Sequence, residues 1–222
     1  MRETFAGDCF VVEGGRPVGG RLTPAGNKNE ALPVLAASLL LNGPSTIRNL
    51  PQIMDVATQL ELLTELGVQV TAEAEDAHDL VIDPAGTFER TPNSELGKAI
   101  RGSFLLAPGL LHRTGKAVLP RPGGDRIGRR RIDTHLHALR LLGAEVDTHE
   151  RNYRLSLPNG FRGTDIFLDE ASVMATENAV MAAAVAQGTT RIANAASEPH
   201  VQGLCRYLNS AGADIRGIGA NM

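Results

Sequence analysis

Three glycines, Gly43, Gly115 and Gly188, recur 72 and 73 residues apart in this 222-residue chain, and each closes the same kind of segment. The segments are ALPVLAASLLLNGPSTIRNLP (31–51), GSFLLAPGLLHRTGKAVLP (102–120) and NAVMAAAVAQGTTRIANAA (178–196). Each is an apolar stretch at helical length, then a glycine, then a short β-branched run. A glycine at that point suits a helix C-terminus, where the chain turns through a left-handed residue. A second element follows each time: ATQLELLTELGVQV, THLHALRLLGAEV and VQGLCRYLNSAGADI. Leucines at helical spacing, such as Leu60, Leu63 and Leu66, predict an amphipathic helix that stops at Gly67, Gly143 or Gly212 and leads into a strand. After the first two copies a further strand is expected, DLVID (79–83) and YRLSLP (153–158).

The unit is therefore helix, strand, helix, strand, strand, repeated over about 28–97, 98–164 and 165–222, with the last copy short of its final strand; such periodicity governs any fold assignment. The expected architecture is α/β with pseudo-threefold symmetry, helices inside and sheets outside, because stretches such as 180–186 are apolar on most sides. FVVEGG and GRLTPAG read as two short strands ahead of the first copy. They have no unit of their own and are expected to pair with something missing; the incomplete third copy sets the expectation of a fragment or one half of a longer protein.

Composition excludes several classes. Lys and Arg number 22 against 25 Asp and Glu, a net charge of −3 that argues against bulk electrostatic binding of nucleic acid or an anionic membrane. Aromatics are 4% and Trp is absent, so no platform for stacking bases is visible. The longest apolar run, 31–41, is far short of the roughly 20 residues of a membrane span. The opening MRETFAGDCF carries no apolar signal segment, and Cys9 and Cys205 form neither a disulfide framework nor a metal-ligand spacing. The expectation is a cytoplasmic protein with reduced thiols.

Four stretches carry chemistry. In GNKNE (26–30), Lys28 stands at the start of the first apolar helix, with Asn29 a plausible N-cap. A lysine beside free helix N–H groups makes an anion site; a surface lysine next to an ordinary cap is the other reading. In KAIRGS (98–103), Arg101 lies in an apolar stretch and needs either an ion-pair partner or an anionic ligand. In PGGDRIGRRRIDTH (122–135), Arg126, Arg129, Arg130 and Arg131 follow a Gly-Gly turn, and guanidinium groups suit bidentate phosphate recognition. A phosphate-gripping loop is preferred over a solvated or nucleic-acid-binding patch. Asp125 among these arginines either balances their charge or acts as acid or base beside a bound phosphate. His135 and His137, two residues apart, do not share a helix face, which argues for packing or capping rather than metal. In DEASVMATEN (169–178), Ser172 or Thr176 could cap the third apolar helix and leave a second anion position.

Taken in order, GNKNEALPVLAAS, KAIRGSFLLAPGLL, PGGDRIGRR, ASVMATENAVMAA and GTTRIANAASEPHV resemble the signatures of the bacterial UDP-N-acetylglucosamine 1-carboxyvinyltransferases, a branch of the enolpyruvyl transferases. The resemblance covers nearly the whole chain but about the first half of the family's protein. It implies two inside-out α/β barrels of three repeats each. One domain would make up 28–222, and the strands of 1–27 would belong to a second, otherwise missing domain, with the active site between them.

The resemblance also implies the reaction: the enolpyruvyl group of phosphoenolpyruvate moves to the 3′-hydroxyl of UDP-N-acetylglucosamine and phosphate leaves, the first committed step of peptidoglycan synthesis. No cofactor, metal, nucleic acid or membrane is implied. Lys28 and Asn29 match phosphoenolpyruvate contacts, and Arg101 an arginine near both substrates. Arg130 matches the loop arginine that grips phosphate. Arg131, Ile132, Asp133 and Thr134 fall where the loop meets the UDP-sugar, and Glu170, Ala171, Ser172 and Val173 where the family contacts the nucleotide. With Lys28 and Arg130, Asp125 completes the implied catalytic set.

The sequence departs from the family pattern at four places. Asp125 stands where the usual proton-donating Cys does, as in some members, and since fosfomycin alkylates that thiol the resemblance implies resistance. Arg131 replaces a Pro, Met174 a Gly whose absence crowds close backbone approach, and Glu170 a residue that is cationic in some members. An aspartate also carries a cost as a donor: with an ordinary pKa near 3.9, about one in 10³ is protonated at pH 7, roughly 4 kcal/mol against general-acid work. A bound phosphate dianion would raise that fraction. A related enzyme acting on shikimate 3-phosphate, and a non-catalytic UDP-sugar-binding half-domain, are the alternatives.

Overall fold

The computed structural model describes residues 11–73, 76–86, 88, 92, 94–123, 131–149 and 151–222. Helix α1 (Lys28–Ala37) is apolar nearly all round, and Ala31–Ala37 are buried without exception. A short 3-10 turn, Ser38–Leu40, ends it, with the Ser38 hydroxyl donating to the Leu35 carbonyl. Strand β1 (Ser45–Ile47), helix α2 (Met54–Glu65) and strands β2 (Gln69–Glu73) and β3 (Asp76–Asp83) follow. They form an antiparallel sheet of order β1-β3-β2, with Ser45 opposite Ile82 and Val70 also opposite Ile82 from the other side.

The succession then recurs. Helix α3 (Ser94–Ala99) and a 3-10 turn, Arg101–Leu105, lead into α4 (Leu106–Thr114), β4 (Lys116–Pro120), α5 (Asp133–Leu141), β5 (Glu145–Thr148) and β6 (Asn152–Ser156). The second sheet has the order β4-β6-β5, again with the last strand in the middle. The remaining elements are β7 (Asp165–Phe167), α6 (Val173–Ala184), β8 (Arg191–Ala193) and α7 (Pro199–Ser210), with β7 and β8 parallel. Helices occupy the centre: α6 packs against α4, α5 and α7, and α1 against α2, α4 and α7. The sheets keep one side to solvent, as the alternation of buried and exposed residues along β4 and β6 shows. Phe104, fully buried, meets the rings of His135 and Tyr153 edge to face.

Two contacts lock α4 onto the end of α1. A Cβ on Gly109 would lie 2.5 Å from that of Leu39, so only glycine admits this approach. Arg113 donates through Nε to the Leu39 carbonyl at 2.7 Å and through Nη2 to that of Leu41, and its guanidinium covers the Phe88 ring. These are carbonyls that a helix end leaves without intrahelical partners.

Gly115 does cap α4 in the left-handed conformation (φ 70°), and Gly67, Gly143 and Gly212 carry positive φ just beyond α2, α5 and α7, as the pattern predicts. Gly43 does not; α1 closes earlier, through its 3-10 turn. Three expected strands are absent. Residues 11–27 form none, and Val12, Val18 and Leu22 stand exposed, because a strand without a neighbouring ladder loses backbone entropy for no hydrogen bonds. Residues after Gly212 form none either: the Asn209 side chain takes both backbone groups of Ile215, at 2.8 and 2.9 Å, that a sheet would have used.

Candidate functional site

The N-termini of α5 and α6, which pack side by side, carry two of the predicted segments. Ile132, buried, and Arg131, exposed, immediately precede α5, while Asp133 and Thr134 form its first turn. Glu170, Ala171 and Ser172 precede α6, and Val173 opens it. Ser172 caps this helix, accepting from the Ala175 N–H at 3.4 Å, so of the two predicted caps it is the serine. The Thr176 hydroxyl bonds instead to the Ser172 carbonyl and accepts the Ala196 N–H.

Side chains join the two segments. Thr134 donates its hydroxyl to Oδ1 of Asp169 at 2.6 Å. That bond, helped by the charges of His137 and Arg131, holds the Asp169 carboxyl below the usual carboxylate range against the opposing effect of burial. Arg131 pairs with Asp133 at 2.6 Å; this hydrogen bond, then the charges of Asp133, Asp169 and Glu170, raise its already high pKa. From the other side Arg101, half-buried at the start of its 3-10 turn, donates to the Arg131 carbonyl at 2.9 Å. The structure therefore brings Arg101, 131–134 and 169–173 into one constellation. Met174, in place of the expected glycine, lies half-buried against the core.

Lys28 and Asn29 sit at the start of α1, which reaches the Arg101–Leu105 turn through Leu32 against Gly102. Lys28 forms an ion pair with Asp55 of α2 at 2.9 Å, with both side chains substantially exposed. The N-cap is Asn27 rather than Asn29: Asn27 has extended dihedrals and its side chain accepts the Glu30 N–H at 3.1 Å. Asn29 lies inside the first turn, exposed. Asp125, Arg126, Arg129 and Arg130 lie outside the described residues.

Beneath the constellation is a buried polar layer of which sequence reading expected only a packing or capping histidine. His135 is 1% exposed; burial, with the Arg101 charge, lowers its pKa to about 3, so the ring is neutral. Its Nδ1 accepts from the Asn178 amide at 2.9 Å, and that amide also approaches the Phe104 carbonyl at 3.4 Å. Glu177, also 1% exposed, is raised to about 9 by burial and by the nearby Glu198, which makes it a neutral carboxylic acid at pH 7. Among the described residues no three His, Cys, Asp or Glu side chains gather to hold a metal, and no helix is long and apolar enough to cross a membrane.

Chemically, two neighbouring helix N-termini flanked by Arg101 and Arg131 suit a phosphate-bearing ligand. The carboxylates of Asp133, Asp169 and Glu170 offset much of that positive charge.

A family model described as EPSP synthase (3-phosphoshikimate 1-carboxyvinyltransferase) matches residues 12–222, and the chain belongs to that family. Within it, the chain is 50% identical over 213 residues to a curated protein of Treponema denticola and 48% identical over 212 to one of Bradyrhizobium diazoefficiens, both named UDP-N-acetylglucosamine 1-carboxyvinyltransferase. These alignments take in 96% of this chain and 49% and 48% of the relatives, so the chain spans about half the length of the curated relatives it matches. The fold is similar to that of the enolpyruvyl transferase NikO from Streptomyces tendae (TM-score 0.75, 23% identity, 89% of this chain and 47% of that one). It is also similar to EPSP synthase from Acinetobacter baumannii (TM-score 0.70, 20% identity, 90% and 45%).

Proposed function

We propose that this chain is the portion of a UDP-N-acetylglucosamine 1-carboxyvinyltransferase that receives the UDP-sugar. The observation that carries the reading is the joining of Arg101, 131–134 and 169–173 at two helix N-termini, in a chain half identical to relatives of that name. In the complete enzyme the 3′-hydroxyl gives up its proton to a base as its oxygen adds to C2 of phosphoenolpyruvate, while the methylene carbon of phosphoenolpyruvate gains a proton. That carbon then loses a proton, the C–O bond to phosphate breaks, and the enol ether and inorganic phosphate result. Asp125 would deliver the proton once a phosphate dianion has raised its pKa, Arg130 and Lys28 would hold phosphoenolpyruvate, and Asn29 would orient it.

The same reading places 28–222 in an inside-out α/β barrel of three repeats, with 1–27 belonging to a second domain that closes the site. The recurring sheet order in the first two units supports the repeat. It also carries a cytoplasmic role in cell-wall synthesis, and resistance to fosfomycin through the missing thiol. A second acceptor, shikimate 3-phosphate, is favoured by the description of the matching family model.

The test is phosphate release from phosphoenolpyruvate by the purified chain, with UDP-N-acetylglucosamine, with shikimate 3-phosphate, and with neither, alongside binding of each acceptor. Binding of the UDP-sugar but not the shikimate ester supports the reading. The reverse preference replaces it, and binding without release marks a half-domain that needs its second domain for turnover.

A further inference from the structure

We infer that Asp169 is a positioning residue that sets the spacing between the two halves of the UDP-sugar site. The inference rests on the function proposed above. Asp169 is absent from the contacts that the family resemblance carries over, yet it is the side chain through which 131–134 and 170–173 are joined.

Its own backbone is anchored. The preceding residue, Leu168, donates its N–H to the Ala193 carbonyl at 3.0 Å, and its carbonyl accepts from the Asn194 side chain at 2.8 Å. Asn194 holds a left-handed φ of 57° to make that contact. Asp169 therefore leaves the end of the β7–β8 sheet from a point fixed on both sides. Across the gap, Thr134 is 5% exposed and sits in the first turn of α5. A 2.6 Å hydroxyl–carboxylate bond between two such anchored groups is charge-assisted and strongly directional. It fixes where α5 begins relative to the segment that caps α6. Arg101 holds the other side of the same segment through the Arg131 carbonyl. A ligand that spans both helix N-termini then meets donors already in place, and avoids the ordering cost that loose segments impose on binding.

The experiment is calorimetric titration of UDP-N-acetylglucosamine into the 222-residue chain, with circular dichroism to confirm folding. Asp169→Ala is expected to weaken binding about ten-fold or more. Asp169→Asn, which keeps an acceptor oxygen, is expected to stay within about three-fold of wild type. Thr134→Ser should likewise retain affinity, while Thr134→Val should lose it, and the pair Thr134→Val with Asp169→Ala should be no worse than the weaker single variant. A residue that merely supports the fold would not show this pattern of rescue and non-additivity. Should Asp169→Ala melt below the assay temperature, the comparison of Thr134→Ser with Thr134→Val decides. Wild-type affinity in Asp169→Ala or Thr134→Val overturns the inference alone, as does equal weakness of Asp169→Asn and Asp169→Ala. A wild-type chain that takes up no UDP-sugar overturns both the functional reading and this inference.

Discussion

The amide nitrogen of Asn178 lies 2.9 Å from Nδ1 of His135, deep between α6 and α5, and a donor at that position makes the ring nitrogen an acceptor. Burial keeps the ring neutral. Because its folded pKa falls to about 3 from 6.5, the unfolded chain binds the proton first. The stability this confers is complete above pH 6.5 and is lost as pH falls toward about 3, at about 1.4 kcal/mol per pH unit. His135→Phe should flatten that acid limb in urea melts between about pH 3 and 4.5, below the range in which Glu177 opposes it. It should also cost about 1–3 kcal/mol at pH 7, because Asn178 is left without its acceptor. An imidazole signal of His135 titrating near pH 6.5 would refute the assignment.

Glu177 has the opposite sign. With a folded pKa of about 9 against 4.5, its protonated form is favoured by folding, so the contribution is complete below pH 4.5 and is lost as pH rises through about 9. Glu177→Gln should remove that decline and raise the melting temperature at pH 8.5 while changing little at pH 4.5. Between pH 4.5 and 6.5 the slopes from His135 and Glu177 cancel. A plateau there is the expected result, and a Glu177→Gln protein no more stable than wild type at pH 8.5 would remove Glu177 from the account.

Gly26 and Asn27 together fix the start of α1. A Cβ on Gly26 would overlap the carbonyl oxygen of Asn49, which is backbone and cannot swing aside. Gly26→Ala is expected to destabilise the fold by about 1–3 kcal/mol and to displace Lys28. Asn27→Ala removes the cap and should cost about 1 kcal/mol. Asn29→Ala, at an exposed site, should stay within about 0.5 kcal/mol. Chemical denaturation of the three variants ranks them; an Asn29→Ala cost equal to that of Asn27→Ala would contradict the cap seen here.

The Lys28–Asp55 pair is exposed on both sides, so it contributes less than about 1 kcal/mol to stability. Its consequence lies in competition, since Asp55 occupies the ammonium group that the proposed function assigns to phosphoenolpyruvate. Asp55→Asn should leave melting nearly unchanged and tighten phosphoenolpyruvate binding several-fold by direct titration. Weaker binding would instead mean that Asp55 aims Lys28 at its ligand.

Much of this was legible in the chain because it is local. The helix-ending glycines at 67, 115, 143 and 212 follow from backbone conformation alone, and the first two sheets from β-branched runs. The cap was misplaced by two residues because NKN offers two asparagines, and dihedral angles rather than composition choose between them. Asp169 and Thr134 are 35 residues apart, with no periodicity to pair them. Glu177 reads as the polar side of a helix, and it becomes buried because α4, α5 and α7 all close on α6. Non-local packing decided the last two.

Arg113 ties the first unit to a residue made much later. The carbonyls of Leu39 and Leu41 receive their donor from a residue more than 70 positions later. On a ribosome, the first sheet is fully translated by Asp83, yet the helix beside it lacks its closing partner until some 30 further residues have been added, roughly two to six seconds at ordinary elongation rates. The end of α1 is thus completed by the second unit rather than by its own.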